Sequence, residues 1–311
     1  MSCRFQIPLI VSLLLITCSL SFAADARWSA DKAAAWHREH GWLVGCNFNP
    51  STAMNQLEMW QADTFDPKTI DRELGWAQSL GFNSVRVYLH DLLWQQDAQG
   101  YLARMDKFLE IADKHGIKVM FVIFDSVWDP NPKLGKQQPP TPHVHNSRWL
   151  QSPSTEVLRN ASKHEKTLRE YVTGIVGHFR NDPRIVAWDV WNEPDNTNNN
   201  SYGKLEPENK AELVLPLLEK TFAWARAAKP TQPLTSGVWH SSWADPARLA
   251  PIPRVQLYQS DVISFHSYGN LAALKNAVKS LRQYKRPLLC TEYMARGNDS
   301  NFNPNLGYLK Q

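Results

Sequence analysis

Short apolar segments recur along the chain and alternate with segments of helical periodicity. The apolar segments are rich in Val, Ile, Leu and aromatic residues and show little strict alternation, which is typical of strands covered on both faces. They occupy residues 42–48, 84–90, 118–124, 185–191, 233–239, 262–268 and 286–293. Between them, apolar side chains recur at helical spacing, as in residues 66–81, 105–116, 168–179 and 214–225.

This alternation predicts an α/β fold with a parallel sheet, and seven or eight such units predict a (β/α)₈ TIM barrel. A doubly wound sheet is the alternative, but no Gly-rich phosphate loop follows any apolar segment. The strand-to-helix segments are long, notably residues 125–162 and 192–210, and in a barrel such loops lie at the catalytic face. The count stops at seven strands. We therefore expect a barrel truncated before its eighth strand, with two unpaired strand edges.

Residues 1–23 predict a secretory signal peptide, with Arg4 before an apolar stretch and small residues at Ser21 and Ala23. The remaining residues, 24–311, then form one exported barrel domain, in the periplasm or outside the cell. A lipoprotein signal ending at Cys18 is an alternative to which Thr17 fits poorly. The apolar stretch is too short for a membrane span, and no second one follows.

Composition narrows the class of protein. Apolar residues make up 43% and charged residues 21% of the 311 positions, which is ordinary for a globular protein and excludes disorder, collagen and coiled coil. The net charge of +4 is dispersed, so we expect no nucleic acid or anionic membrane as partner. We also expect a monomer. Cys46 and Cys290 are expected to be buried thiols rather than a disulfide, and they lack the spacing of a zinc site.

Two glutamates carry the candidate chemistry. Glu193 ends the fourth apolar segment and Glu292 ends the seventh. A single half-buried glutamate is more often structural, but two at corresponding strand ends meet across the mouth of a barrel. Glycosidic bond cleavage needs such a pair, because one acid protonates the leaving oxygen while the other carboxylate attacks or activates water. Glu193 has Trp and Pro as neighbours, an apolar setting that would favour its protonated form.

The motif at residues 191–194 (Trp-Asn-Glu-Pro), with Glu292 on a later strand, resembles clan A retaining glycoside hydrolases, most closely the cellulase-like family 5. The resemblance covers nearly all of residues 24–311. It implies a secreted β-glycosidase, without metal or other cofactor, that acts by double displacement on plant-type polysaccharides or oligosaccharides such as mannan, xylan or glucan. It implies Glu193 as the acid/base and Glu292 as the nucleophile. The substrate-binding or supporting residues that it implies are Arg86, Asn192, His266 and Tyr268.

Thirteen Trp residues suggest flat recognition surfaces. Trp128, Trp239 and Trp243 lie just past the third and fifth strands and are the candidates for stacking on sugar rings. The helical stretches contain three further Trp residues that we expect to pack in the core: Trp28, Trp36 and Trp76.

Several points stay open. Asp125 ends the third strand, where the family often has a histidine, and Asp189 is interpreted as a hydrogen-bonded core acid. Asn192 and Glu193 are adjacent, so a bulge at that strand end is needed for both to reach the site. A metal-dependent hydrolase that uses Asp125, His143 and His145 is one alternative. A non-catalytic carbohydrate-binding barrel, or an inactive fragment without the eighth strand, is another.

Overall fold

The computed structural model of the protein describes residues 27–240, 242–293 and 302–310. The predicted signal peptide, residues 1–23, and the alternative anchor Cys18 lie outside the described residues. Strands and helices alternate along the chain. The strands are β1 (Gly45–Asn47), β2 (Ser84–Tyr88), β3 (Lys118–Val122), β4 (Ile185–Asp189), β5 (Leu234–Thr235), β6 (Ile263–Ser267) and β7 (Leu288–Tyr293). The helices are α1 (Ala30–His40), α2 (Gln56–Trp60), α3 (Pro67–Ser79), α4 (Asp91–Lys114), α5 (Thr155–Arg159), α6 (Ala161–His178), α7 (Lys210–Ala227), α8 (Pro251–Gln259), α9 (Leu271–Arg282) and α10 (Phe302–Lys310).

Every strand pair within the described ranges is parallel. Strands β1 to β5 form one sheet in chain order, and β6 pairs with β7. An isolated parallel bridge between Val238 and Phe265 joins the chain after β5 to β6. This sequential parallel order, with helices between the strands, confirms the predicted α/β barrel architecture. The seven strands found among the described residues are the seven predicted from the apolar segments.

Strands β1 and β7 approach each other without pairing in the described part of the chain. A cavity of about 660 Å³ lies between them, and residues of α1 and α10 complete its lining. Cys46 on β1 and Cys290 on β7 face this cavity as free thiols. Cys290 is half-buried, but Cys46 is exposed, so the expectation of two buried thiols is wrong for Cys46.

Helix α3 shows how local sequence sets an element. The Asp66 side chain accepts hydrogen bonds from the backbone N–H groups of Lys68 and Thr69, and Pro67 occupies the first turn, where no backbone donor is needed. Gly81 then takes a φ of 85°, which ends the helix and returns the chain to β2. The predicted boundaries, 66–81, therefore agree with the structure.

An aromatic cluster joins the sheet to the helices outside it. Trp60, Phe108 and Phe121 are fully buried, with ring centroids 5.5 Å apart for Trp60–Phe108 and 6.4 Å apart for Phe108–Phe121. Trp188 on β4 continues the cluster, 5.7 Å from Phe121. Each such side chain contributes roughly 2–3 kcal/mol by leaving water, so this cluster is a main source of stability for β3 and β4.

Helix α1 covers the end of the barrel opposite the strand-to-helix loops. Trp36 is buried against residues of β3 and β4, and Trp28 packs partly buried beside it, as expected. The Trp28 backbone N–H donates to Asp261, which fixes the segment before α1. Trp76 does not pack in the core: it is 58% exposed on α3, beneath the Arg72 guanidinium. No helix in the described ranges has the length and apolarity to cross a membrane.

Candidate active site

Glu193 and Glu292 meet at the carboxyl-terminal end of the strands. Glu292 lies on β7, and Glu193 follows the end of β4. One carboxylate oxygen of each lies within 4.8 Å of the other. His266, from β6, contacts both: its Nδ1 is 2.5 Å from Glu193 Oε1, and its Nε2 is 3.6 Å from Glu292 Oε1. The strand ends therefore bring together the three residues that the resemblance placed at the centre of the site.

The Glu292 carboxylate accepts three hydrogen bonds from described residues. Arg86 Nη1 and Tyr88 Oη donate to its Oε1 at 2.8 and 2.9 Å, and Tyr268 Oη donates to its Oε2. Burial alone would raise the pKa of Glu292. The charges of His266 and Arg86 and the bonds from Tyr268 and Arg86 outweigh burial and hold this pKa at about 2. Glu292 is therefore an anion at any ordinary pH.

Arg86, on β2, connects its own strand with the ends of β4 and β7. Besides Glu292, its guanidinium donates to Asp189 Oδ2 at 2.7 Å, to Asn192 Oδ1 at 2.7 Å and to Tyr88 Oη at 2.6 Å. Asp189 is fully buried and supplies the counter-charge, which matches its interpretation as a hydrogen-bonded core acid. Because Arg86 is held on several sides, it can present one N–H to Glu292 in a fixed direction.

Asn192 is oriented by contacts at both ends of its amide. Its Oδ1 accepts from Arg86, and its Nδ2 donates to Asp125 Oδ1 at 3.0 Å. Gly237, past the end of β5, leaves room for this arrangement. A Cβ there would lie 3.0 Å from His266 Nε2 and 3.8 Å from Asn192 Oδ1. In the part of the chain that the structure describes, no acceptor binds the second hydrogen of the Asn192 amide.

The backbone of Glu193 turns into the left-handed region, with a φ of 42°. This conformation costs a non-glycine residue about 1–2 kcal/mol. This conformation turns Glu193 toward the site next to Asn192. The predicted bulge at this strand end is therefore not what brings both residues to the site. Register shifts occur instead at the start of β4 and just before Glu292 on β7.

The surroundings of Glu193 are polar rather than apolar. Asn196 Nδ2 donates to its Oε2 at 2.6 Å, while Oε1 is hydrogen-bonded to His266. The expectation of an apolar setting is therefore wrong, because the chain folds back at Asn196 and His266 arrives from a distant strand.

The Trp residues that were predicted to stack on sugar rings lie in different environments. Trp239 is half-buried, and its Nε1 donates at 2.9 Å to Asp195, two residues after Glu193. Trp128 is half-buried and packs on Trp149, which in turn packs edge-on against Tyr88 with ring centroids 5.0 Å apart. These two Trp residues therefore lie on loops that reach the catalytic groups.

Trp243 is not a platform, contrary to expectation. Only 8% of it is exposed, and it packs in the core near α8 and α9.

A metal centre fits poorly with this arrangement. Among the described residues, the only group of three side chains able to offer close ligand atoms is Glu193, His266 and Glu292. Arg86 already binds Glu292 Oε1 at 2.8 Å, and its positive charge opposes a cation there. His143 and His145 are exposed in the loop after β3, and no described third ligand joins them. The geometry does not assemble the metal-dependent alternative.

Three residues near the carboxylates were not expected from the sequence. Tyr88 donates to Glu292; strand parity places it on the same face as Arg86, but no role in the site was predicted for it. Asn196 and Trp149 gave no such signal, because their place depends on how two long loops fold against each other.

Comparison with known proteins agrees with the geometry. The chain matches the profile of the cellulase family, glycosyl hydrolase family 5, over residues 44–311. No curated protein matches by sequence.

Three solved structures illustrate the likeness in fold. The β-mannanase of the blue mussel Mytilus edulis is 13% identical with a TM-score of 0.51, over 86% of this chain and 94% of that one. The endo-1,4-β-mannanase of Rhizomucor miehei is 15% identical with a TM-score of 0.53, over 80% of each chain. The exo-β-1,4-mannosidase of Opitutaceae bacterium strain TAV5 is 20% identical with a TM-score of 0.54, over 81% of this chain and 45% of that one. At these identities the likeness shows a shared fold.

Proposed function

Because this chain belongs to glycosyl hydrolase family 5 and is a glycosidase, we propose that it cleaves β-glycosidic bonds by a retaining double displacement. The bonds are β-1,4 linkages in plant-type polysaccharides or their oligosaccharides, such as mannan, xylan or glucan. The observation that carries this proposal is the pair of carboxylates, with oxygens within 4.8 Å of each other, from the ends of β4 and β7.

In the first step, Glu292 attacks the anomeric carbon and the bond to the leaving oxygen breaks. Its pKa of about 2 keeps it ionised, and Arg86, Tyr88 and Tyr268 hold both of its oxygens in place. Glu193 gives its proton to the departing oxygen. The product of this step is an ester between the sugar and Glu292.

In the second step, Glu193 takes a proton from water, and the resulting hydroxide attacks the same anomeric carbon and frees Glu292. Two inversions give net retention. Retaining enzymes hold their two carboxyl groups roughly 5–5.5 Å apart, whereas inverting enzymes need about 6.5–9.5 Å to admit a water molecule. The short separation between Glu193 and Glu292 supports the retaining course.

Around this pair, Asn192 would bind the hydroxyl at C2 of the sugar, and Trp128 and Trp239 would stack on sugar rings. Mannan is the first substrate to test, because the three solved structures above are of two mannanases and a mannosidase. Export rests on the predicted signal peptide, residues 1–23.

The test uses aryl β-glycosides and soluble mannan, xylan and glucan with the wild type, Glu193→Ala and Glu292→Ala. We expect Glu292→Ala to lose hydrolysis, with azide restoring turnover as an α-glycosyl azide. We expect Glu193→Ala to lose about 10²–10⁴-fold on substrates with poor leaving groups. Proton NMR of the first product should show the β-anomer. Full activity of Glu292→Ala would overturn the assignment of the nucleophile, and an α-anomer as first product would overturn retention.

A further inference from the structure

Lys210, the first residue of α7, is an ammonium group with 1% of its side chain exposed. Its Nζ donates to the backbone carbonyl of Asn196 at 2.7 Å and to Gln151 Oε1 at 2.9 Å. It also donates to the backbone carbonyl of Ser126 and pairs with Glu206. Burying a lysine costs free energy unless every proton finds an acceptor, and here all do.

These acceptors belong to the two loops beside the catalytic pair. Ser126 and Gln151 lie in the loop between β3 and α5, whereas Asn196 and Glu206 lie in the loop between β4 and α7. Thr155 Oγ1 adds a hydrogen bond to Glu206 at 2.9 Å. Lys210 therefore fixes the loop that carries Glu193 to the neighbouring loop.

The contact with Asn196 leads directly to Glu193. The Asn196 side chain donates to Glu193 Oε2 at 2.6 Å, and its backbone N–H donates to the Glu193 carbonyl at 3.0 Å. Lys210 holds the remaining backbone group of Asn196, its carbonyl. The left-handed backbone of Glu193, with a φ of 42°, needs such support from its surroundings.

We propose that Lys210 is a positioning residue that acts through Asn196 to hold the Glu193 carboxyl in line with the leaving oxygen. This inference rests on the proposed function, because it assumes that Glu193 is the general acid. A general acid helps departure of a poor leaving group and does little for a good one. If Glu193 is no longer held in position, the loss of activity should therefore be larger for poor leaving groups than for good ones.

The first variant is the double substitution Lys210→Met with Glu206→Gln, which removes both charges and leaves no unpaired buried carboxylate. The control is Lys220→Met, also on α7, whose ammonium pairs with Glu165 on the surface. For each protein, kcat/KM is measured with dinitrophenyl and unsubstituted phenyl β-glycosides of the sugar that the wild type prefers. Thermal unfolding establishes the folded fraction.

We expect the double variant to lose about 10–100-fold on the phenyl glycoside and less than about threefold on the dinitrophenyl glycoside. The control should change neither value. Equal losses on both substrates would overturn the proposal, since a reduced folded fraction affects every substrate alike.

A second variant, Lys210→Arg, keeps the charge opposite Glu206 and is used for the same test if the first variant does not fold. Its wider planar group cannot repeat the contact with Asn196, so the same selective loss is expected, and equal losses would again overturn the proposal.

Glu193→Ala separates this inference from the proposed function. If Glu193→Ala shows no dependence on the leaving group, the assignment of the general acid fails. If it shows that dependence and the Lys210 variants do not, only the positioning role fails.

Discussion

Asp125 is a fully buried carboxyl group just past the end of β3. Its Oδ1 accepts from Asn192, while no described group binds its Oδ2. Burial raises the pKa of Asp125 to about 7, against a partial lowering by Asn192. The sequence left its role open because a histidine is common at this strand end in the family. The structure makes it the partner that orients Asn192.

Asp125→Asn should remove a pH dependence of stability. Between about pH 4 and pH 7 the unfolded chain releases the Asp125 proton while the folded protein keeps it, so the free energy of unfolding falls as pH rises. Asn cannot titrate, yet it can still accept from Asn192. Relative to the wild type, the free energy of unfolding of the variant should therefore rise by up to a few kcal/mol across this window. Urea unfolding at several pH values measures this difference. Parallel pH curves would contradict this, and exposed Asp113→Asn is the control.

At the scale of elements, the loop between β3 and α5 is fastened on two sides. Lys210 holds it to the loop after β4, and helix α2 holds it from the other side. Gln61, at the end of α2, exchanges two hydrogen bonds with the backbone of Gly135, at 2.6 and 3.1 Å. Gln56 does the same with Leu150, at 2.8 and 3.2 Å. Hydrogen bonds on both sides therefore hold this loop in a fixed position beside the site.

Gln56→Met keeps the side-chain volume but leaves both backbone groups of Leu150 without partners. Each buried unpaired group costs about 1–3 kcal/mol, so we expect a loss of at least about 2 kcal/mol in the free energy of unfolding. We also expect faster trypsin cleavage after Lys133 and Lys136, which are exposed in this loop. Gln78→Met, at an exposed position of α3, is the matched control. Unchanged cleavage in the Gln56 variant would show that the loop is held elsewhere.

Helices and strands could be predicted where a short stretch of sequence determines them. The apolar segments located the seven strands of the described residues, and the strand ends located Glu193 and Glu292, because parallel strands direct their carboxyl ends to one face. Arg86 was identified only through the family resemblance. The segment after β3 was expected to be loop through residue 162, but α5 begins at Thr155. The sequence placed Lys210 at the end of the second long loop, and only the folding of two loops around it shows that it is buried.

At the scale of the whole molecule, one end of the barrel carries the candidate active site, and the other end contributes to stability. Asp261 is fully buried at the end opposite the catalytic carboxylates, just before β6. It binds Arg226 at 3.1 Å and accepts from the backbone N–H groups of Trp28 and Leu234, each at 2.8 Å. It thus joins the segment before α1 to β5 and α7.

Asp261→Asn should reduce stability without reducing turnover. Removing one partner of a buried ion pair costs about 3–5 kcal/mol, and none of the groups that Asp261 binds touches Glu193 or Glu292. We expect a lower melting temperature with kcat unchanged at temperatures where the variant is folded. Asp189→Asn, which breaks the buried pair with Arg86 at the catalytic end, should lower both. A loss of kcat in Asp261→Asn would mean that the two ends are coupled.

The hydrogen bond from Arg86 to Glu292 joins residues 206 positions apart in the chain. Closing so long a stretch of chain is slow, whereas helices and neighbouring strands form from contacts close in sequence. Secondary structure regained after dilution from denaturant therefore says little about function. Hydrolysis can return only when β7 has met β2, so the recovery of activity reports on a late, long-range step of folding.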